Sequence, residues 1–395
     1  MLSSIEFSNF FSFHHEKVKL KALNALIGIN GSGKTNFLKA IDVLKAVVKE
    51  GGIQDLIINK WGGFDAVLYA GNIDKEESPV VKLRFEFAPE SISKYGYVFT
   101  EPVIYQIRFL KVASTHNYSF CETLKTKSGY TYFRMNGGKG FAMEGVSNDQ
   151  HKVNYQLSDE GDSIFNQLVD KDRYVQIFAI REAIKSIASY SYFDTTYKSP
   201  IRKPVMPTAA LRLQHDGSNL PQLLNKIKIG SKPDYYAIKQ ALNSVNPNYT
   251  GIDFNILGPN IELMLEENHL NQSVHVTHVS DGTLRYLCLL AIIFNAQRGD
   301  LVCIDEPEIG LHPDMIAEII EGIKMNCSKD SQFIISTHSE YVLNQLRVEN
   351  VLVFEKDEHN ATKISSYEDE EFQDWASSYA TGRLWRNGDL GGNRY

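Results

Sequence analysis

The chain has 395 residues, with 41 Lys and Arg against 48 Asp and Glu, a formal net charge of −7. That balance argues against a general nucleic-acid coat, whose field would be basic, while the length suffices to bury a large core and more than one module. The four cysteines, Cys121, Cys288, Cys303 and Cys327, lack C-x-x-C spacing, and polar and aromatic residues interrupt the first twenty positions. The expectation is therefore a reduced, cytoplasmic protein without zinc ribbon or signal peptide. The longest apolar run, Tyr286 to Phe294, is too short to cross a bilayer, so no membrane association is expected.

In chain order, Ala25-Leu26-Ile27 predicts a buried strand. It leads into Gly28-Ile29-Asn30-Gly31-Ser32-Gly33-Lys34-Thr35, which matches the phosphate-binding pattern G-x-x-x-x-G-K-[ST] and is followed by Asn36. Phe37, Leu38, Ile41, Leu44 and Val48 then recur at helical spacing. Strand, glycine loop and helix in succession let backbone N–H groups and the helix N-terminus face anionic oxygens. Lys34 is the candidate contact to the β- and γ-phosphates of a nucleotide, and the Thr35 hydroxyl a candidate Mg²⁺ ligand.

Residues 79–110 alternate (Val81, Leu83, Phe85, Phe87, then Val103, Tyr105, Ile107, Phe109) and predict paired antiparallel strands. Short Tyr- and Gly-rich strands such as Tyr130-Thr131-Tyr132-Phe133 continue through 112–157. Residues 162–190 read as helical, 194–218 as an exposed loop with Pro200, Pro204, Pro207 and Gly217, and 219–227 and 233–244 as helices. Strands at 252–257, 261–266 and 272–278 follow. No sustained heptads, internal repeat or low-complexity tract is found.

Ser280-Asp281-Gly282-Thr283 opens a helix with Leu284, Leu287, Leu290, Ala291 and Phe294 on one face, Ser280 being a good N-cap. Leu301-Val302-Cys303-Ile304-Asp305-Glu306 is an apolar strand ending in two acids. Asp305 is placed to hold Mg²⁺ and Glu306 to polarise an attacking water. Pro307 and Gly310 break that strand, Pro313 suits the first turn of a helix, and Met315, Ile316, Ile319, Ile320 and Ile323 mark its core face. Gln332-Phe333-Ile334-Ile335-Ser336-Thr337-His338 is a second buried strand, with His338 able to hydrogen-bond a γ-phosphate.

In this order the motifs resemble those of ABC-type ATPases: Walker A, signature, Walker B, D-loop and H-switch. The resemblance covers residues 1–50 and about 270–356. Asp281 stands where the family has the first signature Gly, and Thr283 where it has an acidic residue or Gln; Ser280 and Gly282 match. Ile5–Phe13, the phosphate loop and Glu306–Pro313 are closest to the SMC, RecF and OLD-like branch, and to stand-alone bacterial AAA-family ATPases of anti-phage defence. Leu213–Leu220 and Gly382-Arg383-Leu384-Trp385 … Gly391-Gly392-Asn393 look like the same group, without an evident chemistry. The resemblance implies an α/β P-loop NTPase head of ABC type: a mixed sheet plus an antiparallel β lobe, a helical insertion and no long coiled coil. The expected division is 1–160 (N-terminal ATPase lobe), 161–250 (helical insertion or lid) and 251–395 (C-terminal lobe).

It further implies that two copies sandwich two ATP molecules with Mg²⁺. Lys34, Thr35, Asp305, Glu306 and His338 would act from one subunit, and Ser280 and Gly282 from the other. Asn30, Gly31, Ser32, Gly33 and Asn36 complete the expected nucleotide contacts. The stretch after His338 is too short for the TOPRIM nuclease of OLD-like proteins, so an effector nuclease or toxin encoded nearby is expected to act in trans. Higher oligomers and nucleic acid stay open as partners: Lys198, Arg202, Lys203, Arg383, Arg386 and Arg394 are the candidate cations. The alternatives are a RecF-like DNA repair ATPase and a scaffold whose ATP only locks a dimer. Gln54 is the nearest candidate for a loop glutamine, but reads more simply as an exposed polar residue, as Phe11 and Phe13 read as core.

Overall fold

The computed structural model describes residues 1–71, 79–112, 118–145, 150–328, 331–368, 370–377 and 379–392. The chain opens with an antiparallel hairpin of β1 (Leu2–Phe10) and β2 (Phe13–Lys19), then changes sheet at β3 (Leu23–Ile27). Six further strands extend the hairpin: β4 (Val80–Phe87), β5 (Val103–Lys111), β6 (Tyr118–Thr126), β7 (Thr131–Asn136), β8 (Lys139–Glu144) and β9 (His151–Gln156). They make an eight-stranded antiparallel sheet of order β2-β1-β4-β5-β6-β7-β8-β9. The alternating pattern works as expected here. Val81, Leu83, Phe85 and Phe87 are buried and pair in register with Phe109, Ile107, Tyr105 and Val103.

β10 (Ala188–Tyr190) lies in the sheet begun by β3. β11 (Tyr249–Leu257), β12 (Asn260–Glu267) and β13 (Val274–His275) form a separate three-stranded antiparallel sheet. β14 (Leu301–Asp305), β15 (Gln332–Ser336), β16 (Val351–Lys356) and β17 (Thr362–Ser366) complete the second sheet, of order β10-β14-β15-β3-β16-β17. Its strands pair in parallel except for β17. β3 is therefore central, and β15 separates it from β14. That order sets the carboxyl ends of β3, β14 and β15 side by side, where an open parallel sheet binds its ligands.

Two large cores hold most of these layers. The first lies between the antiparallel sheet and the helix Lys34–Ala46, joined by the helix Val175–Lys185. Phe13, Phe7, Phe37 and Phe354 form a chain of ring contacts at 4.3, 5.7 and 5.8 Å that carries packing from one sheet to the other. The second core surrounds the helix Asp281–Ile293, in which every residue from Tyr286 to Ile293 is buried. The expected single apolar face is thus an apolar cylinder, covered by the helices Leu220–Gly230, Lys232–Val245 and Pro313–Asn326. Among the described residues the longest helices have 14 residues, and no helix is long and apolar enough to cross a membrane.

Two segments differ from expectation. Residues 162–190 are not one helical stretch: a short turn (Ile164–Asn166) and the helix Val175–Lys185 precede β10, whose Ala188 and Tyr190 pair with Val302 and Ile304 at the sheet edge. The 3.6-residue pattern ran unbroken into a strand too short to show its own period. Residues 194–218 are irregular but not simply exposed, since Thr195, Ser199, Ile201 and Arg202 are buried. The Arg202 guanidinium donates to the carbonyls of Thr195 (2.9 Å), Val276 (2.7 Å) and Val279 (2.9 Å) and to Asp281 (2.7 Å). It ties the loop to the start of the Asp281–Ile293 helix and is unavailable as a surface cation.

Inside the first core, Glu122 is buried. Its carboxyl accepts from Tyr105 (2.6 Å), Ser163 (2.8 Å) and the Ile164 amide (2.6 Å), which anchors the Ile164 turn to the sheet. Burial nevertheless pushes its pKa up from 4.5 to about 7, the three donors only partly opposing it. Between those values the folded state keeps a proton that the unfolded chain has lost, so this group's contribution to stability falls as pH rises from 4.5 through 7. Glu122→Gln should flatten that part of the pH–stability curve by roughly 1–3 kcal/mol, measured as the difference between wild-type and variant denaturant midpoints across the window.

Candidate functional site

The phosphate loop leaves β3, all five of whose residues are buried. Gly28 (φ 145°) and Gly33 (φ 116°) are left-handed, and a Cβ would overlap the Phe354 carbonyl oxygen at the first and the Thr362 hydroxyl at the second. The loop is thus wedged against β16 and β17. No side chain caps the helix Lys34–Ala46, which leaves its first-turn N–H groups to the loop's concave side. Lys34 folds back into the loop and donates to the carbonyls of Gly28 (2.7 Å) and Ile29 (3.1 Å). Burial lowers its pKa to about 8, although Glu306 and Asp305 favour the charged form.

A small polar network fastens this loop from behind. The Thr362 hydroxyl lies 2.7 Å from both the Ser32 carbonyl oxygen and Ser12 Oγ, and Asn36 Nδ2 donates to Ser12 at 2.9 Å. The β1–β2 turn, the P-loop helix and β17 therefore meet at one point. The Ser32 hydroxyl is buried without a hydrogen bond among the described residues.

β14 delivers Asp305 beside β15, where its carboxylate accepts from the Ser336 hydroxyl. Glu306 follows with φ 49°, a strained conformation for a non-glycine residue. Its amide is held by the Ser336 carbonyl at 3.1 Å and the Ser336 hydroxyl at 3.2 Å. His338 Nε2 stands 3.6 Å from Glu306 Oε1. Glu308 accepts from the Thr337 hydroxyl (2.7 Å) and the His338 amide (3.0 Å), fixing the backbone after β15 to the turn after β14. Burial, with the positive Lys34 nearby, lowers the His338 pKa and favours neutral imidazole, while Glu306 and Asp305 act the other way. A cavity of about 320 Å³ is lined by Asn30, Gly31, Gly33, Lys34, Thr35, Asn36, Asp305, Glu306 and His338. A larger one, about 460 Å³, borders Asn344, Arg347, Gln373 and Thr381 and shares no residue with it.

Ser280 and Gly282 do not line the 320 Å³ cavity. Ser280 is exposed at the start of its helix; its hydroxyl accepts from the Thr283 amide at 3.2 Å and lies 2.8 Å from the Thr283 hydroxyl. Asp281, the departure from the family pattern, is the residue that holds Arg202. Nearby, a Cβ on Gly310 would overlap the Arg285 guanidinium, and one on Gly282 would sit 3.0 Å from the Gly310 carbonyl oxygen. The start of the Asp281–Ile293 helix and the turn after β14 are therefore in contact.

Other sequence readings resolve more plainly. Gln54 is exposed and lies outside the cavity lining. Phe13 is fully buried, and Phe11 is partly buried beneath the Lys39 amine, 3.8 Å from its ring centre. In the 213–220 stretch, Asn219 accepts from the Gln214 amide (2.8 Å) and donates to the Arg212 carbonyl (2.9 Å), a turn fastener. Gly382 lets the helix Thr381–Asn387 sit against the segment after His338, where a Cβ would come within 2.6 Å of the Glu340 carbonyl oxygen. Gly392 donates to Glu355 at 2.8 Å, and a Cβ there would lie 3.5 Å from Gly28 Cα. Asn393 and Arg394 lie outside the described residues. Ser336, Thr362 and Arg202 give no signal in a single sequence, since each acts through contacts with residues distant in the chain.

Residues 146–344 match the family model described as "AAA domain, putative AbiEii toxin, Type IV TA system", and residues 1–129 match one described as "AAA ATPase domain". The Old nuclease of Escherichia phage P2 is 22% identical over 377 residues, which cover 90% of this chain and 59% of the nuclease. The chain thus spans less than two thirds of that relative's length. Smc heads are among the solved structures that share the fold. The SmcHead bound to the C-winged helix domain of ScpA has a TM-score of 0.58 at 13% identity, covering 94% of this chain and 99% of that one. The Smc head with an extended coiled coil bound to the C-terminal domain of ScpA, derived from Pyrococcus furiosus, has a TM-score of 0.57 at 12% identity, covering 95% and 98%. The chain belongs to the AAA domain family of the AbiEii description, and its fold is that of the Smc heads.

Proposed function

We propose that this chain binds and hydrolyses ATP with Mg²⁺, closes as a homodimer on it, and through that cycle controls a partner nuclease or toxin in bacterial phage defence. The observation that carries the reading is the convergence of Lys34, Thr35, Asp305, Glu306 and His338 on one 320 Å³ cavity. The donor set suits the ligands: a buried ammonium and free helix N–H groups for phosphates, and hydroxyl and carboxylate oxygens (Thr35, Asp305) for a hard divalent cation. When bound, Mg²⁺ supplies charge neutralisation between the phosphates. The residues do the rest. Lys34 exchanges its two loop carbonyls for phosphate oxygens, Glu306 orients and polarises water, and His338, on the cavity wall, hydrogen-bonds the γ-phosphate. Ser280, exposed and outside the cavity, supports completion of each site by a second copy, with Gly282 beside it.

Several outcomes test this. Lys34→Ala should abolish nucleotide binding in calorimetry. Glu306→Gln should retain binding, slow turnover by about 10²–10³, and accumulate the dimer in light scattering with ATP. Ser280→Arg should bind ATP yet stay monomeric and inactive; wild-type turnover from that monomer would refute the shared site. Stimulation by duplex DNA with steep salt dependence would instead favour a RecF-like repair role, for which Lys198, Lys203, Arg383 and Arg386, all exposed, are the described candidate contacts left once Arg202 is committed to the fold. Co-purification with the products of neighbouring reading frames tests the effector.

The lowered Lys34 pKa adds a pH signature. Above about pH 8 the amine of the free protein is largely neutral, while bound phosphates favour its charged form. Binding should therefore take up a proton and weaken as pH rises through 8, measurable as a dependence of the calorimetric heat on buffer ionisation enthalpy.

A further inference from the structure

We propose that a second cavity, in the antiparallel lobe, binds an organic cation carrying N–H groups: an alkylguanidinium or alkylammonium. The cavity holds about 190 Å³ and shares no residue with the phosphate-loop cavity. Its walls come from the segment before β5 (Tyr97, Phe99, Glu101), the β6–β7 hairpin (Tyr130, Tyr132) and the start of the helix Val175–Lys185 (Gln176).

Four rings run in sequence around it. Tyr97 and Phe99 meet at 4.8 Å and 71°, Phe99 and Tyr132 at 6.4 Å and 87°, and Tyr132 and Tyr130 at 5.3 Å and 78°. Rings set near right angles build the walls of a box rather than a stack, and their π-faces carry negative potential that attracts cations. Elsewhere the chain fills such positions itself: Lys39 over Phe11, Lys94 over Tyr95, Arg285 over Tyr192. Among the described residues no Lys or Arg stands over these four rings.

The polar groups point to the same guest. Glu101 is the one charged lining residue, and two bonds from Ser128, its amide at 2.7 Å and its hydroxyl at 2.6 Å, favour the ionised carboxylate. Gln176 and Tyr132 are only 2% and 6% exposed, yet neither side chain makes a hydrogen bond among the described residues. An amide and a phenol that open on a cavity take their hydrogen bonds from water or from a guest. An apolar guest would leave them unpaired, and an anion would face Glu101. An N–H-bearing cation matches the carboxylate, the Gln176 carbonyl, the Tyr132 oxygen and the ring faces together. The group could come from an arginine or lysine side chain of a bound protein, or from a free amine.

Isothermal titration of the whole chain with butylguanidinium and its uncharged isostere butylurea tests the site apart from any nucleotide reading. Saturable 1:1 binding of butylguanidinium is expected, with butylurea at least tenfold weaker. Glu101→Gln and Tyr97→Leu, each checked for an unchanged melting temperature, should weaken butylguanidinium at least tenfold. Equal binding of the two probes, no binding of the charged one, or undiminished binding to a folded Glu101→Gln would overturn the proposal, and the wild-type comparison stands even if a variant fails to fold. The blocked tripeptide acetyl-Gly-Arg-Gly-amide separates the sources: tighter binding than butylguanidinium assigns the site to a protein side chain, and weaker binding to a free amine.

Discussion

A buried lysine ammonium, bent back onto the carbonyls of its own loop, is the constraint around which this protein is arranged. Lys34 bonds Gly28 and Ile29 while the carboxylates of Asp305 and Glu306 supply compensating charge from the next strand but one. That geometry needs β3 to be central and fully covered, since a charge held this far from water is tolerable only among fixed dipoles and counter-charges. The sheet order places β14 and β15 on one side of β3 and β16 on the other, so both flanks of the loop are built from strands distant in sequence.

The two cores divide the labour. The antiparallel lobe presses Phe7 and Phe13 onto Phe37 and so fixes the helix that starts at the phosphate loop. The second core immobilises the Asp281–Ile293 helix but leaves its N-cap residue, Ser280, in solvent. Arg202 sets the angle of that helix start through the carbonyls of Thr195, Val276, Thr277 and Val279 and through Asp281. A glycine at position 281 could not perform that task, which gives the aspartate there a physical reason.

The local features were legible in the sequence because each is written in contiguous residues. The glycine loop, the two acids after an apolar strand, and the period-two run from Val81 to Phe109 all translated directly into structure. What escaped was whatever depends on a partner far along the chain. β10 has three residues and no period of its own, and its identity as a strand comes from Val302–Ile304. The 194–218 loop reads as exposed from its prolines, yet Arg202 draws it inward. Thr362 is an ordinary threonine until β17 lies beside the phosphate loop.

Gly28 has no room for a methyl group on one side, and its Cα lies 3.5 Å from where a side chain on Gly392 would begin. The floor beneath the phosphate loop is therefore shared with the last residues described. The same C-terminal stretch leans, through Gly382, on the segment that follows His338. Tension applied to that tail, by a fused tag or by a docked protein, would be felt on two walls of the phosphate-loop cavity at once.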